Sequence, residues 1–140
     1  LILIGSMLAF GQAMQATGTA DFLADQISQI AEHVSAHVLL GLFFALGVLL
    51  TQPMSNQAAA AVLVPVAIQT AVQLDFNPRA FSVMIAIAAS CAVITPLEPA
   101  CMLVYGAGNY RFADFPRVGA PLTVIIFVIA MLLVPRIWPL

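Results

Sequence analysis

The sequence contains no lysine, and its four arginines stand against six acids in 140 residues. Charged side chains make up 7% of the chain, where soluble domains carry roughly 25%. So little positive charge offers no basic patch to a phosphate backbone, which excludes nucleic acid as a partner. It also excludes a water-facing surface. With 63% hydrophobic residues and a mean hydropathy of +1.09, lipid is the expected solvent and the bilayer the expected partner. The two cysteines, Cys91 and Cys101, have apolar neighbours, form no metal-type pair and read as small buried hydrophobes. The start has neither an initiator Met nor a basic flank, so no signal peptide can be argued. The spans are too few to enclose a pathway, so the chain reads as the C-terminal portion of a larger membrane protein. Enzymatic chemistry has no carrier either. Ser55 has no base beside it, His33 and His37 are remote in sequence, and no carboxylate pair exists, so neither an enzyme nor a cofactor is expected.

What is present is organised around Thr51-Gln52-Pro53-Met54-Ser55-Asn56-Gln57, a polar, proline-bearing stretch inside hydrocarbon-like sequence. The apolar arms on either side, 37–50 and 58–71, are each shorter than the roughly 20 residues a helix needs to cross a bilayer. Two short arms and a polar tip predict a re-entrant hairpin over 37–73, entering and leaving on one side. Irregular backbone at that depth is tolerated only in a protein interior or a wet cavity. Ser55, Asn56 and Gln57 are therefore expected near mid-membrane, beside a helix N-terminus.

The remaining expectation is all-α. Residues 1–16 read as the end of a transmembrane helix, broken by Thr17-Gly18-Thr19. Over 19–34, Phe22, Leu23, Ile27, Ile30 and Val34 recur at helical spacing opposite Asp25, Gln26, Gln29 and Glu32, as in an interfacial amphipathic helix. His33 and His37, four apart, read as a solvated pair at the interface. Asn77 is placed to cap a helix opening on Pro78. That transmembrane helix, over 78–105, is expected to run to Val93, break at Ile94-Thr95-Pro96-Leu97-Glu98-Pro99-Ala100 and resume to Tyr105, because paired prolines disrupt helical hydrogen bonding. Glu98 is the one acid within apolar sequence and hence a functional candidate. Residues 106–117 form a polar, aromatic loop and 118–138 the last span. Arg111 and Arg117 in that loop place it in the cytoplasm by the positive-inside rule, with the C-terminus outside, in a multi-pass protein of the plasma (inner) membrane.

A polar hairpin tip and a broken helix together point to a secondary transporter, whose discontinuous helices meet cations with carbonyls and anions with N-terminal dipoles. Ser55-Asn56-Gln57, followed by small residues and Pro65, resembles the Ser-Asn-Thr hairpin motif of the divalent anion–sodium symporters, the dicarboxylate, citrate and sulfate carriers. Ile94-Thr95-Pro96, Val104-Tyr105-Gly106, Tyr110-Arg111-Phe112, Asp114-Phe115 and Arg117-Val118-Gly119 resemble that family's second broken helix and the loop after it. The resemblance implies the second of two inverted repeats, partnered by an upstream repeat, in a homodimer that moves a small anionic substrate by an elevator-like shift. It implies sodium as coupling ion, with Ser55 and Asn56 contacting sodium and substrate. It also implies a second sodium site lined by Thr95, Pro96 and the Ile94 carbonyl, with Gln57 beside the substrate. Two positions depart from the family. Gln57 replaces the usual Thr, and Glu98-Pro99-Ala100-Cys101 stands where many members have an Asn. Glu98 can act there as a sodium ligand or accept a proton, which leaves sodium-coupled, proton-coupled and arsenite-type carriers, and a structural module without transport, as alternatives.

Overall fold

The computed structural model describes residues 9, 12–13, 16–19, 22, 25–26, 34–53, 55–97, 99–108 and 110–140. The expected helices over 1–16 and 19–34 fall largely outside the described residues, as do His33, Met54 and Glu98. Among the described residues the chain is all-helical. The helices are α1 (Ala36–Thr51), α2 (Asn56–Gln73), α3 (Pro78–Ala89), α4 (Pro99–Ala107) and α5 (Asp114–Ile137).

Each end has a local cause. Ser55 caps α2 by accepting from the Ala58 N–H at 3.2 Å. Asp75, at φ +58°, turns the chain out of α2. The Phe76 N–H reaches back to the Ala71 carbonyl (2.8 Å) and the Asp75 N–H to that of Val72 (3.3 Å), the Schellman arrangement. Aspartate is among the few non-glycine residues that accept this conformation. Asn77 caps α3 through the Arg79 N–H at 3.1 Å, with Pro78 as its first residue, as the sequence suggests. The α5 helix starts at Asp114, four residues before the expected span, because the Asp114 carboxylate accepts from the Arg111 N–H at 2.8 Å and so closes a turn ahead of it. Pro116 then falls in the first turn, where a missing N–H is harmless.

Length separates the helices. At 24 residues, α5 is about 36 Å long, enough to cross a hydrocarbon core of about 30 Å. The apolar α1, at 16 residues, reaches about 24 Å and does not.

The α3 helix is the hub, packed against α1, α2 and α5. Its Ala80, Phe81, Met84, Ile85, Ala88 and Ala89 are buried. Phe81 meets Phe43 of α1 edge-on at 5.7 Å and stacks on Phe76 at 6.3 Å. Alanines bring the axes close, and a Cβ added at Gly47 of α1 would lie 2.8 Å from the Ala88 Cβ. Across α1, Phe44 meets Phe127 of α5 at 5.1 Å. Hydroxyls within this apolar packing are satisfied by their own helices: Thr70 donates to the Val66 carbonyl and Thr123 to that of Gly119.

Candidate functional site

The site is built from two places where helical backbone stops. At the first, α1 ends at Thr51 and α2 begins at Asn56, so a carbonyl end and an N–H end lie side by side at one tip. At the second, α3 ends at Ala89 and α4 begins at Pro99. Helix C-termini present oxygens to cations and N-termini present donors to anions, so each interruption offers both polarities.

The second interruption starts four residues earlier than the sequence expectation. The Ser90 and Cys91 N–H groups bond back to the Ile87 and Ala88 carbonyls (3.1 and 3.0 Å), tightening the last turn. The Ser90 hydroxyl and Cys91 thiol are spent on the Ala86 and Ile87 carbonyls. Beyond them the chain lies against α5. A Cβ added at Gly119 would fall 3.0 Å from the Ile94 Cα and closer still to the Val93 carbonyl. Only glycine admits this main-chain contact.

Gln52, the first residue beyond α1, joins tip to break. Its Nε2 donates to the Val48 carbonyl at 3.0 Å, and its Oε1 accepts from the Thr95 N–H at 3.2 Å and the Thr95 hydroxyl at 3.0 Å. The Val48 carbonyl also accepts from the buried Thr51 hydroxyl at 2.9 Å.

Of the residues singled out from sequence, Ser55 is exposed and serves as the α2 cap, its hydroxyl proton still available to a ligand. Asn56 opens α2 half-buried, with its Oδ1 out of solvent, and Gln57 is exposed. Ile94 and Thr95 are half-buried and Pro96 is buried. Ile94 and Gln52 border one end of an otherwise largely apolar cleft of about 420 Å³ between α1 and α5. Thr95 is thus tied to the tip, and Glu98 lies outside the described residues. Among the described residues, no three His, Cys, Asp or Glu side chains gather to hold a metal. The residue that sequence reasoning missed is Gln52. It stands in the stretch singled out, yet its partner lies 43 residues away, and no local spacing reveals that.

Among the described residues the chain is all-helical, with one helix long and apolar enough to cross a bilayer and two backbone interruptions joined by part-buried hydrogen bonds, as suits an all-α membrane protein. The model of the sodium:sulfate symporter transmembrane region matches residues 1–140, and the chain belongs to that family. The uncharacterized transporter sll0640 of Synechocystis is 38% identical over 139 residues, covering 99% of this chain and 23% of that protein. Sodium/sulfate cotransporter 2 of Chlamydomonas reinhardtii is 32% identical over 127 residues, 87% of this chain and 14% of that protein. The sodium-dependent dicarboxylate transporter SdcS of Staphylococcus saprophyticus is 30% identical over 135 residues, 96% of this chain and 26% of that protein. The chain therefore spans about a quarter or less of these relatives' lengths.

Proposed function

We propose that this chain supplies one half of the binding site of a sodium-coupled carrier for a small divalent anion, sulfate or a dicarboxylate. The observation that supports the reading is the Gln52–Thr95 pair of bonds, which ties the polar turn between α1 and α2 to the segment between α3 and α4 in a chain of this family. The carbonyl ends of α1 and α3, with Ser55, Asn56, Ile94 and Thr95, contribute oxygens to sodium. The N-terminus of α2, with Ser55, Asn56 and Gln57, contributes donors to the anion, and Pro96 lines the break. An upstream repeat supplies the other half. In this reading α1 and α2 form the re-entrant hairpin, α3 and α4 the broken helix, and the assembly is a homodimer working by an elevator-like shift. The loop before α5 faces the cytoplasm and the C-terminus the outside. Relatives named for sodium with sulfate and for sodium with dicarboxylate support both anions equally.

The test is uptake of labelled sulfate and succinate by the full-length protein in proteoliposomes, under a sodium gradient, a proton gradient and neither. Sodium-driven uptake of either anion is the expected result. Proton-driven uptake alone moves the coupling to Glu98, and no uptake from folded protein overturns the transport reading. In the same assay Asn56→Ala is expected to abolish uptake with expression near wild type, since Asn56 contributes a ligand rather than packing. Unchanged uptake would remove it from the site.

A further inference from the structure

Gln52 uses every polar atom at its reach in a way that permits one orientation. The Val48 carbonyl can only accept and the Thr95 N–H can only donate, so Nε2 must face the first and Oε1 the second. The amide cannot flip without breaking both bonds. Because Oε1 has no proton, the Thr95 hydroxyl must be the donor in the third bond. Its proton is thereby committed to Gln52, and both lone pairs of Thr95 Oγ1 face away from it. A hydroxyl so held is an acceptor only, the polarity a cation requires and an anion does not.

The surroundings make the alternative expensive. Thr95 follows half-buried Ile94 and precedes buried Pro96, and Gly119 of α5 presses on the Val93–Ile94 main chain. Its N–H has no helical carbonyl to return to, since α3 stopped at Ala89. Without Gln52 the hydroxyl would be free to turn its proton toward the site, and the N–H would lose its partner.

We propose that Gln52 is a positioning residue for the coupling cation: by fixing the Thr95 hydroxyl as an acceptor and the break at hydrogen-bond distance from the hairpin tip, it sets how tightly the cation binds. The arrangement works as outer partners of metal ligands do, orienting a ligand without touching the ion. This rests on the functional reading above. Its particular consequence is that loss of Gln52 raises the cation concentration needed, with much less effect on the rate at saturation.

The test uses the purified full-length protein. Its thermal stabilisation is titrated with sodium chloride against choline chloride, and uptake of the transported anion is titrated with sodium in proteoliposomes. Gln52→Met keeps the length and removes the acceptor. It is expected to raise the half-saturating sodium concentration about three- to tenfold in both assays, the size of one net hydrogen bond, with maximal rate within about twofold. Thr95→Val, which removes the cation-facing oxygen itself, is expected to shift it at least as far. The double variant is expected to shift no further than Thr95→Val alone, because Gln52 acts on the cation through the Thr95 hydroxyl. Should Gln52→Met fail to fold, Gln52→Asn, one methylene too short to bridge both partners, is expected to give the same shift. An unmoved half-saturation with a reduced maximal rate, or additive shifts in the double variant, would overturn the proposal while leaving the transporter reading intact. A wild-type protein that responds to sodium in neither assay would overturn both.

Discussion

The α1–α3 core and α4 are built of equally apolar sequence and finish in opposite states. In the core, Leu40, Ala59, Ala67, Phe81, Met84 and Ile85 are fully out of solvent. In α4, Met102, Leu103 and Val104 are 60%, 78% and 51% exposed. The outer face of α5 resembles α4, with Val118, Val124 and Ile125 open, as does the stripe of Val38, Leu42, Leu46 and Leu49 on α1. Hydrophobicity therefore does not decide burial here. Packing partners do: α1, α2 and α3 meet one another through alanines and Gly47, whereas α4 leaves its large side chains outward for lipid or further protein to cover.

This contrast can be broken most sharply at Gly119. Gly119→Ala drives a methyl into the Val93 carbonyl and Ile94 backbone, which no rotamer change relieves, and about 3 kcal/mol or more of stability should be lost. Thermal unfolding of the full-length protein in detergent, with uptake measured alongside, checks this; a melting temperature near wild type would mean that α5 does not press on the break. Phe81→Ala, which empties the middle of the core, should cost about 2–3 kcal/mol, less than the same change in water because the unfolded reference also sits in lipid. A smaller effect is expected from Asn77→Ala. It removes a helix cap and a 3.0 Å bond from Nδ2 to the Pro139 carbonyl, for about 1 kcal/mol. At the far end, Leu103→Ala should change stability by less than about 0.5 kcal/mol in the same melts. A large loss there would show that α4 is packed in solution and would dissolve the contrast.

Features set within a few residues were legible in the sequence. The Asn77-Pro78 start of α3, the polar interruption between the helices α1 and α2, and a final apolar helix followed from capping rules and length alone. Features set by distant contacts were not. The early stop of α3 at Ala89 accompanies the contact of the break with Gly119, some thirty positions on, whereas the sequence pointed to the prolines at 96 and 99. The early start of α5 turned on the Asp114 carboxylate reaching back to Arg111, a pattern legible in principle but masked by the proline after it. At the candidate site, the Ser55-Asn56-Gln57 triplet stands out by polarity alone. Gln52 does not, because one glutamine at a helix end says nothing of the threonine that completes it.

The bond from Asn77 to Pro139 closes a circuit. It pins the start of α3 to the end of the chain, 62 residues on, so the break, α4 and α5 lie on a loop fastened at both ends. A displacement of the break relative to the hairpin cannot be relieved by the tail peeling away while that bond holds. It has to be taken up inside the circuit, which makes α4, with Met102, Leu103 and Val104 open, its slack.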